Sequence, residues 1–301
     1  MLLAGEEAAG ARALALIAEA GHEAVLAVTT GGTRVAAAAA ATKVPVTAPS
    51  ALRDPGFADD VRSARVDLLL NVHSLVIVRP EILRAPRIGS FNLHPGPLPR
   101  YAGLDAPSWA ILEGATEYGA TVHWMDERVD TGPVAYAATF PVEPTETGLS
   151  LNTRCAREGL ELLRRLLLDA ADRSGAIPST PQDLSGRRYY RRGPPGDGVV
   201  DWDAPAETIE RFVRAADFQP LPSPWAPAPR TRLDGVELRI LRARLTDLPA
   251  DAAPGTIAVQ NDVARVCASD RRLELEFVQI DGRTVSAAVA LPDGGMFDRP
   301  I

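Results

Sequence analysis

The sequence predicts an α/β fold, with a doubly wound and mostly parallel sheet, followed by a smaller all-β domain. Three observations carry that prediction. Residues 1–150 alternate short apolar runs with Ala/Leu-rich segments of helical period, the β-α-β-α order of a parallel sheet. One run, Val66 to Val72, is apolar almost throughout, as suits a strand buried on both faces. From Arg232 onward, short alternating segments separated by turn residues suit a small barrel or sandwich.

The elements follow in order. Leu2–Ala4 reads as a first strand and Ala8–Ala20 as a helix, and Ala24–Val28 is a second strand closed by Thr29-Thr30-Gly31-Gly32. Arg34–Thr42 suits a helix, Pro45–Thr47 a short strand and Asp59–Arg65 another helix. After Val66–Val72 comes the strand Ser90–His94, which stops near Pro95 because proline has no N–H for a ladder. Ser108–Glu113 then reads as a helix and Gly119–Met125 as a strand of period two. Leu149–Arg173 is a long amphipathic helix, with Leu160, Leu163 and Leu167 on or near one face.

A Gly/Pro-rich stretch holding Arg187-Arg188-Tyr189-Tyr190-Arg191-Arg192 reads as an interdomain crossing. These signals place a first domain at 1–175, a linker at 176–200 and a second domain at 201–301. In the last, Glu207–Ala216 is a short helix, and strands fall at Val236–Ile240, Gly255–Val259, Ala264–Cys267, Leu273–Ile280 and Thr284–Ala290.

Composition narrows the function. The 301 residues are 46% hydrophobic and 24% charged, as expected of a soluble protein with a full-sized core. A net charge of −7 leaves no general basic field and argues against tRNA or other nucleic acid as a partner. The two cysteines, Cys155 and Cys267, are far apart, and the four histidines (22, 73, 94 and 123) show no ligand spacing. No metal and a reduced cytoplasmic setting are therefore expected. No basic signal segment opens the chain and no apolar run reaches 18 residues, so no membrane association is expected.

The chemistry centres on Phe91 to Pro99. Asn92 and His94 are two residues apart, so on a strand they share a face. They lie at the carboxyl end of a strand, where open α/β sheets bind ligands. An uncharged amide N–H suits a developing oxyanion, and an imidazole suits proton transfer near neutral pH. The plainer reading is a strand end whose polar groups cap loop backbone. Asp130, in Asp-Thr-Gly, is either a turn carboxylate bonded to its own backbone or the group that orients and charges His94. Distance decides between these. His123 is read as structural. Gly5 to Gly10 occupies the place of a nucleotide-binding loop but matches neither GxGxxG nor a P-loop. Glu6 and Glu7 suit a helix start and oppose a phosphate there.

Asn92-Leu93-His94-Pro95 with Leu98-Pro99, and Thr121 to Asp126 leading to Asp130-Thr131-Gly132, resemble the folate-dependent formyltransferases. The likeness runs from Leu2 to about Leu168. It implies a Rossmann-like sheet and, beyond a linker, a small OB-like barrel that Asp197 to Trp202 would enter. It implies a catalytic trio of Asn92, His94 and Asp130. The pterin pocket would be walled by Leu75, Val76, Ile77 and Val78 on one side and Met125, Asp126 and Val129 on the other. Glu6, Glu7, Tyr101 and Gly103 would face the acceptor. The co-substrate implied is 10-formyltetrahydrofolate.

The chain also departs from the family pattern. Gly96-Pro97-Leu98-Pro99 replaces Ser-Leu-Leu-Pro, Ala102-Gly103 stands where tRNA and sugar members commonly have Arg-Gly, and Arg128 replaces a frequent glycine. These variants resemble formylases of specialised metabolism. The activity implied is formyl transfer to a primary amine of a small or carrier-bound molecule: an amino acid, an amino sugar or a natural-product intermediate. The alternatives are a methionyl-tRNA formyltransferase, then a formyltetrahydrofolate hydrolase or a non-catalytic folate-binding module. Assembly into a homo-oligomer is left open.

Overall fold

The computed structural model describes residues 1–172 and 176–298. The N-terminal half runs β1 (Leu2–Gly5), α1 (Glu7–Glu19), β2 (Leu26–Val28), α2 (Arg34–Ala41), β3 (Val46–Thr47), α3 (Phe57–Ser63), β4 (Leu68–Val72), α4 (Pro80–Leu83) and β5 (Gly89–His94). Next come β6 (Ala102–Gly103), α5 (Ala106–Leu112), β7 (Glu117–Trp124), β8 (Val134–Pro141), α6 (Gly148–Ala171) and β9 (Tyr189–Tyr190). The chain continues through α7 (Ala206–Ala216), β10 (Arg230–Leu233), β11 (Val236–Pro249), β12 (Ile257–Gln260), β13 (Val263–Cys267), β14 (Arg271–Ile280), β15 (Arg283–Ser286) and α8 (Ala287–Ala290).

Two compact units result, and the chain passes between them more than once. The first comprises residues 1–103, 117–141 and 153–189; the second comprises 104–116, 142–152 and 190–301.

The first unit is built on a seven-stranded sheet of order β3-β2-β1-β4-β5-β7-β8. Strands β3, β2, β1, β4 and β5 are parallel, and β7 runs antiparallel to both β5 and β8. Alternation along each strand separates two apolar layers. Leu3, Leu68, Leu70, Phe91, Leu93 and Val122 pack with α1, α2 and α6. On the other side Leu2, Ala4, Val28 and Leu69 pack with Phe57, Val61 and Ile82 of α3 and α4. This is the doubly wound, mostly parallel sheet that the sequence predicts.

Among the elements of this unit, α4, β8 and the two-residue β6 escape the sequence reading. Helix α4 is a single turn opened by Pro80. Strand β8 is rich in alanine, and small residues on both faces blur the contrast on which period-two reading depends. The long amphipathic helix runs from Gly148 to Ala171, and the expected end at Arg173 lies outside the described residues, as does the boundary at 175.

In the second unit, β10-β11-β14-β13-β12 form an antiparallel sheet, with β15 pairing β14. Strand β11 extends well beyond the expected Ile240 and bends at bulges, which break the alternation a sequence reading follows. The segment expected as a strand through Ala290 stops at Ser286 and turns into α8.

Leu70 lies on β4 between β1 and β5 and is 1% exposed. Leu70→Ala is expected to cost about 2–5 kcal/mol, because transfer energy and a cavity add. Urea unfolding should show a lower midpoint with little change in slope. A loss below about 1 kcal/mol would mean that this core collapses around the gap.

Candidate active site

Register brings the polar groups together. Strand β5 pairs residue by residue with β4 on one side, Asn92 opposite Asn71, and with β7 on the other, Asn92 opposite His123 and His94 opposite Thr121. The ladder ends where Pro95 begins the loop. Thr121 donates to the Gly96 carbonyl (2.8 Å) and Tyr118 to the Pro95 carbonyl (3.0 Å), so β7 holds the turn that follows His94. A Cβ at Gly96 would sit 3.0 Å from His94 Nε2, the Tyr101 carbonyl oxygen and the Tyr118 hydroxyl alike, so a hydrogen is the side chain that fits without displacement.

His94 is buried, and its Nε2 lies 2.6 Å from the Tyr101 carbonyl oxygen. A carbonyl only accepts, so Nε2 carries the proton and donates. That leaves the Nδ1 lone pair facing Asp130 Oδ2 at 3.6 Å. Burial pushes the imidazole below its ordinary value, against the pull of Asp130 and the Tyr101 carbonyl. Neutral His94 is thus a base whose protonated form would meet a carboxylate.

Asp130 sits in a left-handed turn after β7 (φ 57°) and is almost wholly buried. Its Oδ2 accepts the Gly103 N–H at 2.8 Å, and its Oδ1 lies 3.5 Å from His123 Nε2. Burial alone would raise this carboxyl. The positive charge that His94 takes up beside it and the Gly103 N–H outweigh it and hold the group well below the ordinary carboxylate range. The loop is clamped: Gln182 Nε2 donates to the carbonyls of both Asp130 (3.2 Å) and Gly132 (2.6 Å). At Gly132 a Cβ would lie 1.9 Å from the Trp124 carbonyl oxygen, so the glycine of Asp-Thr-Gly is sterically required.

Asn92, His94 and Asp130 therefore do come together. His123 joins them, 3.0 Å from Asn92 Nδ2, although the sequence reads it as structural. Period-two spacing from Thr121 marks its face; only the β5–β7 register shows that this face meets Asn92. Gln182 carries no local signal, lying 50 residues from the carbonyl it holds most closely.

The other predicted residues are placed as follows. Leu75 (61% exposed), Ile77 (63%) and Val129 (39%) present apolar surface, Val76 is half-buried and Val78 is buried. Met125 packs on the core, and Asp126 accepts from the Arg128 N–H and the Thr131 hydroxyl, stapling its own loop. Tyr101 is buried edge-on against Tyr118 and turns its carbonyl, rather than its ring, to the site. Gly103 turns its N–H to Asp130. Glu6 does not cap α1 with its side chain; it accepts from Thr29 and Thr30 and ties down the loop after β2. Glu7 is largely exposed, with its carboxylate 3.9 Å from His73 Nδ1. Among the described residues no group of three or more His, Cys, Asp or Glu is arranged to hold a metal. No helix among them is long and apolar enough to cross a membrane.

Family models match both parts of the chain: a formyl transferase model over residues 9–167 and its C-terminal domain model over 194–292. The chain belongs to the formyl transferase family. A methionyl-tRNA formyltransferase of Roseiflexus castenholzii is 34% identical over 241 residues, covering 80% of this chain and 74% of the relative. One from a Synechococcus species is 32% identical over 261 residues, covering 84% and 78%. Among solved structures, the N-formyltransferase of Helicobacter canadensis, in complex with folinic acid and dTDP-3-aminofucose, superposes with a TM-score of 0.67 at 17% identity, covering 91% of this chain and 97% of that one. HypX of Aquifex aeolicus, in complex with tetrahydrofolic acid, gives 0.59 at 18% identity, covering 96% of this chain and 46% of that one.

These relatives correct one expectation. The acidic balance had argued against tRNA, yet the sequence relatives are methionyl-tRNA formyltransferases. Net charge sums the whole surface, whereas contact with a polyanion depends on where the arginines lie.

The buried carboxylate sets a pH signature for this formyltransferase. Its folded pKa is depressed, so its contribution is present above the ordinary carboxylate value and is lost as pH falls through the folded value. His94, also lowered, acts with the same sign from about pH 6.5 downward, because there the unfolded chain binds the extra proton. Stability by urea titration should therefore fall below about pH 6.5, and more steeply below about pH 4. Asp130→Asn should flatten the lower part. Identical curves for both proteins would mean that the carboxylate is not held as described.

Proposed function

We propose that this chain transfers the formyl group of 10-formyltetrahydrofolate to a primary amine, with Asn92, His94 and Asp130 as the reacting trio. The observation that carries the reading is the meeting of a half-exposed amide donor, a neutral buried imidazole and a buried carboxylate at the carboxyl end of β5. Folate as the donor is supported by the folate complexes of the two structural neighbours and by the exposed apolar side chains of Leu75, Ile77 and Val129 beside the strand ends. Those side chains, with Val76, Val78, Met125 and Asp126, are the residues we assign to the pterin. Residues 1–175 are taken as the catalytic domain, joined by a linker to 201–301.

Asn92 has two amide hydrogens, and one is spent on His123. The other is available to the formyl oxygen as negative charge develops there, which is where a preorganised donor lowers the barrier. The amine must shed a proton as it bonds to the formyl carbon. His94 receives it at Nδ1, directly or through water, and the imidazolium so formed is stabilised by Asp130. Asp130 stays charged throughout, and the Gly103 N–H fixes which oxygen faces His94.

Two acceptor classes have specific support. The sequence relatives favour methionyl-tRNA. Ala102-Gly103, where tRNA and sugar members commonly have Arg-Gly, favours another small or carrier-bound amine, such as an amino acid or a natural-product intermediate. Incubation with 10-formyltetrahydrofolate and, separately, methionyl-tRNA, amino acids, nucleotide-linked amino sugars and aminoglycoside-like amines should give one formylated product by mass spectrometry. Formate without any formylated amine would instead mean hydrolysis. Binding of folate without turnover would mean a folate-binding module.

Asn92→Ala should lower kcat about 10²–10³-fold with the melting temperature little changed, the usual loss for an oxyanion donor. Parental kcat would remove Asn92 from the mechanism. The rate should also fall as pH drops and His94 protonates; because burial lowers its value, that limb lies below about pH 6.5. His94→Asn should abolish the limb together with most of the rate. A limb that survives in His94→Asn would assign the base elsewhere.

A further inference from the structure

Asn92 is useful only with its amide turned one way, and a side-chain amide is symmetric enough in shape to sit either way round. Its neighbours decide the matter from both sides. Asn71, directly opposite on β4, donates from Nδ2 to Asn92 Oδ1 (2.9 Å) and to the Ser74 carbonyl (3.2 Å). A carbonyl only accepts, so Ser74 fixes the Asn71 amide, and Asn71 then requires an oxygen of Asn92 on its side. On the opposite flank, His123 Nδ1 lies 2.7 Å from the Trp124 carbonyl oxygen and must donate there. Because Asn71 turns the Asn92 oxygen its own way, Asn92 Nδ2 faces His123 Nε2 at 3.0 Å and donates to it; this is the shorter of the two polar contacts of Nε2, Asp130 Oδ1 lying 3.5 Å away. The chain Asn71, Asn92, His123 thus runs in one direction between two backbone carbonyls.

Asn71 holds this arrangement at its own expense. It is 7% exposed, and its Oδ1 is buried without a hydrogen-bond partner. Buried acceptors are rarely left so. Turning the amide over would set Oδ1 against the Ser74 and Asn92 oxygens, two repulsive contacts in place of two bonds. We propose that Asn71 is a positioning residue for the reaction: it locks the Asn92 amide so that the second Nδ2–H points at the substrate carbonyl. The inference rests on the role given to Asn92 above and adds a residue on a strand outside the trio.

Three measurements test it, using the full chain with 10-formyltetrahydrofolate and the best acceptor of the panel. Asn71→Ala should lower kcat about tenfold, the scale of one lost orienting hydrogen bond, with KM for both substrates within about twofold. Asn71→Asp should lower it further, since a carboxylate cannot donate to either oxygen. In an Asn92→Ala background neither change should lower kcat again, because a residue acting only through Asn92 has nothing left to orient. In ¹⁵N-histidine spectra the unmodified protein should show His123 protonated at Nδ1 and bare at Nε2, and Asn71→Asp should bring a proton to Nε2.

Parental kcat in both Asn71 variants, with Asn92→Ala impaired, would overturn the inference and leave the proposed function standing. So would a full additional loss in the double variants, or a proton on His123 Nε2 in the unmodified protein, a result that needs no variant to fold. Parental kcat in Asn92→Ala would instead sink the proposed function itself.

Discussion

A buried negative charge organises this site. Asp130 has almost no contact with water, and an unpaired carboxylate there would take up a proton rather than stay ionised. It remains charged because the Gly103 N–H donates to it and His94, rather than Asp130, takes up the proton between them, with His123 against its other oxygen. Each of those groups is in turn held by something else: His94 by the Tyr101 carbonyl, His123 by the Trp124 carbonyl, and the Asp130 loop by Gln182. Removing any support exposes the carboxylate to the penalty of its own burial.

That constraint explains why the surrounding sequence is so particular. Gly96 and Gly132 lie where a methyl group would strike His94 or the Trp124 carbonyl, and Thr121 and Tyr118 anchor the loop between them. Antiparallel β7 matters for the same reason. Its register against β5 sets His123 opposite Asn92 and Thr121 opposite His94. The acceptor chemistry is less constrained by this architecture. Glu7, Leu75 and Ile77 are exposed, and residues at such positions vary in chemistry without disturbing the charge at the centre.

The polar relay from Asn71 through Asn92 to His123 gives the reading of the site its directionality. Hydrogen bonds between side-chain amides are ambiguous in isolation. Here the ambiguity is removed at both ends by main-chain carbonyls, which accept and never donate. Orientation of the donor is thereby built into the sheet before any substrate arrives, which is what electrostatic preorganisation requires.

Much of this was legible from residues alone. The apolar run at 66–72, the arrest of a strand at Pro95 and the i, i+2 spacing of Asn92 and His94 are local properties, fixed by strand period and by proline's missing N–H. They determined the parallel sheet and the edge at which polar groups gather. Local pattern failed where contrast is weak, as in alanine-rich β8, or where a bulge breaks alternation, as in β11. What only the tertiary structure decided is which distant groups meet. His123 became a partner of Asn92 through strand register, Gln182 reached the Asp130 loop from 52 residues away, and Asn71 emerged beside Asn92 because β4 lies next to β5. Pairings of that kind are set by how elements stack, and no spacing along the chain encodes them.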